Sequence, residues 1–180
     1  MRIGLVRHFR VDCPHQYLMT DEEFREWIEA YDCSVIRIAD MTVDTSRWEK
    51  CYCSDLPRAV ATARHIYNGS ISQSVLLREV PISPVCTSRI KLPYVLWLVS
   101  GRLAWLFSHR SQPETIKQTK DRVKRFVADI KTKPETSVLV VTHGFLMLQI
   151  QKELKAQGFR GDNFTAAKSG TIYVFENDKC

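Results

Sequence analysis

The chain lacks an apolar run long enough to cross a membrane. Its longest, residues 92–107 (LPYVLWLVSGRLAWLF), carries Ser100, Gly101 and Arg102 and falls short of the roughly 20 residues a spanning helix needs. It reads as a buried or lid helix, with Trp97, Trp105 and Phe107 assigned to packing before substrate contact. No secretory leader is expected, since MRIGLV runs straight into Arg7-His8 with no apolar segment before a cleavage site. The six cysteines, at 13, 33, 51, 53, 86 and 180, are therefore expected to be reduced thiols of a cytoplasmic protein. No second Cys or His pair at ligand spacing accompanies Cys51-x-Cys53, which argues against zinc. On a strand those two side chains share a face, so packing is their expected role. The lysine-rich face of 117–133 lacks the interleaved aromatics of a nucleic-acid surface. No repeat and no linker divides the chain, so residues 1–180 are expected to form one domain.

What is present is ordinary globular material. The 180 residues are 44% hydrophobic and 26% charged, close to the average for soluble domains. A chain of this size buries about 70% of its unfolded surface, enough for a core without staples. Lys+Arg 26 against Asp+Glu 20 leaves +6, a balance that favours anionic partners.

Hydrophobic spacing predicts alternating strands and helices. Residues 2–7 (RIGLVR) read as a short buried strand and 20–31 as a helix, opened by the Thr20/Glu23 capping-box pattern with Phe24, Trp27, Ile28 and Tyr31 at helical spacing. A strand over 49–53 leads into a helix over 55–67, capped by Ser54 with Pro57 in its first turn and closed by a left-handed Asn68-Gly69 end. Residues 75–79 read as extended and 114–131 as an amphipathic helix. The run 137–142 (SVLVVT) has the continuous apolarity of a strand covered on both faces, followed by a helix over 145–157 and a last strand over 171–175. This alternation predicts an α/β fold, a three-layer α/β/α sandwich with a mostly parallel central sheet.

In such sheets ligands bind beyond the carboxyl ends of the strands, and the reactive side chains cluster there in the predicted topology. Arg7 and His8 follow the first strand, Arg58 starts the helix after the second, Glu79 ends an extended piece, and His143 follows the strand 137–142. Guanidiniums are permanently charged forks that match phosphate oxygens. An imidazole with an unperturbed pKa of about 6.5 is largely neutral and nucleophilic near pH 7. A carboxylic acid can hand a proton to a leaving oxygen; Glu23 and Asp12 compete with Glu79 for that part. Arg58 has a structural alternative as well, an ion pair with Asp55.

At these residues the chain resembles a known family. Leu5-Val6-Arg7-His8, then Ser54-Asp55-Leu56-x-Arg58-Ala59-x-x-Thr62-Ala63, Leu77-Arg78-Glu79 and Val141-Thr142-His143-Gly144 are similar, in order, to the blocks of the histidine phosphatase superfamily, with its phosphoglycerate-mutase-like fold. The resemblance implies a phosphatase that hydrolyses a small phosphate ester through a phosphohistidine, without metal or other cofactor and without a nucleic-acid or membrane partner. His8 would be the nucleophile, Arg7, Arg58 and His143 would hold phosphate oxygens, and Glu79 would act as acid and base. A mutase of the same superfamily, or a weakly active phosphate-binding module, are the alternatives. The chain departs from the family at Phe9, where glycine is usual, and at Arg10-Val11-Asp12, where the family often has Glu-Thr. Phe9 would narrow the pocket, or be strained if the position needs positive φ. Arg10 would add a contact to an anionic substrate.

Overall fold

A computed structural model describes residues 1–38 and 44–177; Cys180 of the six cysteines lies outside the described residues. In chain order the elements are β1 (Arg2–Arg7), β2 (Leu18–Met19), α1 (Asp21–Cys33), β3 (Lys50–Ser54), α2 (Pro57–Ile66), β4 (Ile71–Ser74), β5 (Leu92–Pro93), α3 (Tyr94–Leu106), α4 (Ile116–Lys131), β6 (Ser137–Thr142), α5 (Gly144–Ala156), β7 (Arg160–Gly161) and β8 (Ile172–Glu176). The main sheet has the order β4-β3-β6-β1-β8-β7. Its left half is parallel, and β8 and β7 add an antiparallel edge.

Strand alternation sorts the core into two layers. Ile3, Leu5, Tyr52, Val138 and Val140 face α4 and α5, whereas Val6, Cys51, Cys53, Leu139 and Val141 face α2. The expected sandwich, mixed α/β with a central, mostly parallel sheet flanked by helices, is the one observed. Cys51 and Cys53 are fully buried on the α2 side. Burial pushes their thiols up to about 12 and about 11, so they pack rather than react.

A third apolar cluster stands apart from the sheet. Met19, Phe24 and Trp97 pack together with Trp27, Ile28, Tyr94 and Leu98 around them. The short pair β2–β5 ties the start of α1 to the start of α3, and Trp97 Nε1 donates to the Met19 carbonyl at 2.9 Å. Thr20 and Glu23 form the expected capping box on α1. Among the described residues no helix is long and apolar enough to cross a membrane.

Three local expectations are corrected. Residues 75–77 form a 3-10 turn, with Ser74 accepting from the Leu76 amide, and the extended piece lies earlier, at β4. Leu56 rather than Ser54 is the N-cap of α2; Pro57 takes the first helical position and the Ser54 hydroxyl accepts from the Leu56 amide one turn early. The helix ends at Ile66 on an extended Tyr67, and Gly69 has no positive φ. Glycine serves close approach there, because a Cβ at 69 would lie 2.6 Å from the Tyr67 ring hydroxyl.

Candidate active site

Because β1, β6 and β3 are parallel, their carboxyl ends share one edge of the sheet. The register pairs Arg7 with Thr142, and the His8 amide donates to the Thr142 carbonyl at 2.9 Å, extending the ladder by a residue. The next side chains, His8 and His143, therefore meet: their rings are edge-on with centroids 5.0 Å apart. Thr142 Oγ1 donates to the Leu77 carbonyl at 2.7 Å, which ties the 75–79 segment to the same edge. Residues far apart in the chain are thus joined by ordinary sheet geometry.

His8 is nearly inaccessible, and its Nδ1 lies 2.6 Å from the Phe9 carbonyl. A carbonyl only accepts, so Nδ1 carries the hydrogen and Nε2 keeps the lone pair. Burial pushes the imidazole down to about 3; the Phe9 carbonyl opposes that, while the Arg58 and Arg7 charges reinforce it. His8 is therefore neutral at any ordinary pH. His143 is completely buried behind it. Burial first, then the charges of His8, Arg58, Arg122 and Arg7, hold it well below its usual value.

Both guanidiniums are fixed by one bond and left open elsewhere. Arg58, in the first turn of α2, is buried and donates to Asp32 Oδ1 at 2.7 Å while lying over the Tyr31 ring. Its ion-pair partner is Asp32 and not Asp55, which instead takes both Nε and Nη2 of Arg78. Arg7 donates from Nη1 to the Ala167 carbonyl at 3.0 Å. Its guanidinium crosses the start of α5, where a Cβ on Gly144 would come within 3.0 Å of Nε. Arg7 Nε, Arg58 Nε and both ring nitrogens of His143 are buried without a hydrogen-bond partner. Each such group costs about 1–3 kcal/mol, and the N–H groups among them are donors of the kind anionic oxygens accept from.

Glu79 closes the constellation in a way its sequence context does not reveal. Its Oε1 accepts from the Val80 and Leu146 amides at 2.9 and 3.0 Å, and its Oε2 from the Phe145 amide at 3.2 Å. The N-cap of α5 is His143, which offers no side-chain cap. Glu79 supplies the missing acceptor for the exposed amides and puts a carboxylate against the positive end of the helix. The competitors are elsewhere: Glu23 is held by Thr20 and Lys91, and Asp12 faces solvent beside Arg37.

A cleft of about 670 Å³ opens over these groups. Arg7, His8, Arg58 and Glu79 form its floor; Trp27, Ile28 and Tyr31 of α1 form one wall, and Leu98 and Arg102 of α3 another. Arg102 lies over the Phe145 ring and donates to the Val80 carbonyl at 2.9 Å. Among the described residues no group of His, Cys, Asp and Glu is arranged to hold a metal ion.

Two expected substrate contacts do not reach this cleft. The Phe9 side chain is buried in the core on the α2 side, edge-on to His65, and its amide donates to Thr62 Oγ1 at 3.0 Å. Ser108 is the one non-glycine with positive φ among the described residues, so Phe9 is neither strained nor a constriction. Arg10 is exposed and does not line the cleft. Trp97 and Trp105 lie in the core, and Phe107 is exposed. Tyr31, Asp32 and Arg102 line the cleft without having been expected there. Tyr31 falls at helical spacing with Trp27 and Ile28, on a face of α1 that is shared between core and cleft.

No curated protein matches the chain at significant similarity. Solved structures do. An α-ribazole phosphatase from Shigella flexneri aligns with TM-score 0.58 at 17% identity, over 97% of this chain and 89% of that one. A phosphoserine phosphatase from Entamoeba histolytica, in complex with 3-phosphoglyceric acid, aligns with TM-score 0.54 at 14% identity, over 96% and 89%. A mycobacterial glucosyl-3-phosphoglycerate phosphatase aligns with TM-score 0.50 at 17% identity, over 85% and 79%. At these identities the likeness is one of fold. The model of the histidine phosphatase superfamily (branch 1) matches residues 36–178, which contain Arg58, Glu79 and His143, while Arg7 and His8 are joined to them by the β1–β6 ladder. With most of the chain matched and the fold shared, this protein belongs to the histidine phosphatase superfamily, branch 1.

Proposed function

We propose that the chain hydrolyses a phosphate monoester of a small metabolite through a phosphohistidine at His8. The observation that carries this reading is the convergence of unpartnered, buried donors from Arg7, Arg58 and His143 beside an imidazole whose Nε2 lone pair is free. Nε2 attacks phosphorus, the bond from phosphorus to the leaving oxygen breaks, and that oxygen takes the proton that Glu79, a carboxylate in the free protein, picks up when the negative charge of the ester comes in beside it. The guanidiniums neutralise charge on the three remaining oxygens, the part a metal ion plays in other phosphoryl-transfer sites. Glu79, now a carboxylate, accepts a proton from water; the water oxygen attacks phosphorus and the P–N bond breaks, returning its electron pair to Nε2. Two displacements replace one harder one.

His143 is kept neutral, so it donates a hydrogen bond to phosphate without attracting a second proton. The walls bear on the leaving group: Trp27, Ile28 and Leu98 offer apolar surface and Arg102 a cation, which suits an alcohol with an apolar portion. Similarity to phosphatases of α-ribazole, phosphoserine and glucosyl-3-phosphoglycerate phosphates supports the reaction class rather than any one of those substrates. The test is a rapid-quench experiment on p-nitrophenyl phosphate in excess chelator. An acid-labile phosphoenzyme is expected within a single turnover, and His8→Ala should abolish it along with steady-state release of phosphate. Ordinary turnover in that variant would discard the nucleophile.

A further inference from the structure

The helix that walls the cleft also carries the most apolar surface of the molecule. Val95, Leu96, Val99, Leu103 and Leu106 of α3 are 45–52% exposed, and Phe107 just beyond it is 78% exposed. They fall on one stripe, opposite the buried Trp97, Gly101, Ala104 and Trp105. Scattered single apolar residues on a surface need no explanation, but a continuous stripe does. The turn that follows holds Phe107 outward: Ser108 adopts φ 52, and the Ser108 and His109 amides bond back to the Trp105 and Ala104 carbonyls.

Along the segment that carries this stripe the charge has one sign. No Asp or Glu occurs between Glu79 and Glu114, whereas Arg89, Lys91 and Arg110 are exposed at its two ends. Lys91 is paired with Glu23, and Arg89 and Arg110 make no ion pair among the described residues. Self-association through this face would set cations against cations across a symmetric contact. An anionic partner is favoured instead. The stripe offers almost no hydrogen-bonding groups, with half-buried Ser100 at its edge, so it suits an occupant that needs neither shape nor polar complementarity. An exposed apolar face with cations at its margins suits the headgroup region of an anionic bilayer, the protein body lying where a free amphipathic helix would have its polar face.

We propose that α3 and its two flanks dock this protein reversibly on an anionic phospholipid surface. The absence of a spanning segment said nothing about this, because an interfacial helix needs only one apolar side. Leu98 and Arg102, which line the cleft, immediately precede Val99 and Leu103 of the stripe. Docking therefore brings the mouth of the cleft next to the headgroups.

The experiment is flotation of the full chain with vesicles of mixed phosphatidylglycerol and phosphatidylcholine, and with vesicles of phosphatidylcholine alone. Flotation is expected with the anionic vesicles, weaker at high salt and weaker on neutral ones. Leu103→Ser and Phe107→Ser should each reduce partitioning about tenfold or more, and Arg89→Glu with Arg110→Glu should abolish the preference for anionic lipid. Thermal melting and turnover of a soluble phosphate ester serve as controls and should stay unchanged in all three variants. Failure to float with anionic vesicles overturns the proposal. So does a dimer in solution that Leu103→Ser dissociates, or retention by an acidic protein without any vesicle binding. None of these outcomes depends on the phosphatase reading, which the quench experiment tests separately.

Discussion

The floor of the cleft and its walls are held by different physics. The floor is written into the sheet: Arg7 and His8 are placed by the β1–β6 register, with His143 beneath them, Arg58 by the first turn of α2, and Glu79 by three backbone amides. The walls belong to the separate α1–α3 cluster, pinned to each other by a two-residue strand pair and one indole hydrogen bond. A floor fixed by ladders and buried charges gives chemistry that tolerates little displacement. A wall made of side chains on two helices can change its occupant without disturbing that chemistry.

The sharpest way to break the comparison is at the floor. Arg58→Lys keeps the charge but loses the fork, and is expected to lower kcat/KM by about 10²–10³-fold. A loss of only a few-fold in steady-state assays would move Arg58 from transition-state binding to structure. Glu79→Gln should slow esters with poor leaving groups by about 10²-fold while sparing p-nitrophenyl phosphate. Equal slowing of both would place the acid elsewhere. The same variant should lose about 1 kcal/mol in urea unfolding, because the charged cap on α5 is gone.

The buried imidazoles make the floor acid-sensitive. Unfolded histidines take up protons below about pH 6.5, whereas folded His8, held at about 3, and His143, held well below its usual value, do not. Stability is therefore unaffected by these groups above that range and falls as pH drops through it, by about 1.4 kcal/mol per pH unit for each imidazole. Replacing His8 by Asn should flatten the dependence of unfolding free energy on pH by about one proton; an unchanged slope would contradict its neutral burial. The smallest effect belongs to the wall. Leu98→Ala should raise KM a few-fold for esters with an apolar leaving group, roughly one lost side-chain contact, and leave kcat near its original value. A fall in kcat instead would couple wall to floor.

Periodicity exposed most of this fold. The run SVLVVT, the Thr20/Glu23 box and the apolar face of 114–131 are local signals, and the structure has each, the last as a helix that starts two residues later, at Ile116. Arg7, His8, Arg58 and His143 could be expected at one edge because each sits at an element boundary, whereas Glu79 reaches it from beyond the 3-10 turn rather than from a strand end. Signals shorter than a period were not legible: the β2–β5 pair, the 3-10 turn at 75–77 and the end of α2 depend on what packs against them. Phe9 misled for a related reason. Read as a neighbour of His8 it belonged to the pocket, yet in the structure it fills the layer beneath α2 and donates its amide to Thr62.

By itself the order of residues determined the layering, the parallel core and which side chains stand at strand ends, since those follow from hydrogen-bonding periods that every chain obeys. Only the tertiary structure decided that Arg58 answers to Asp32, that Glu79 caps α5, that the His143 ring stands edge-on to His8, and that α3 turns one side to the cleft and the other, apolar, to solvent. Those are meetings between segments distant in the chain, and their energies come from burial and charge in three dimensions, which no local pattern encodes.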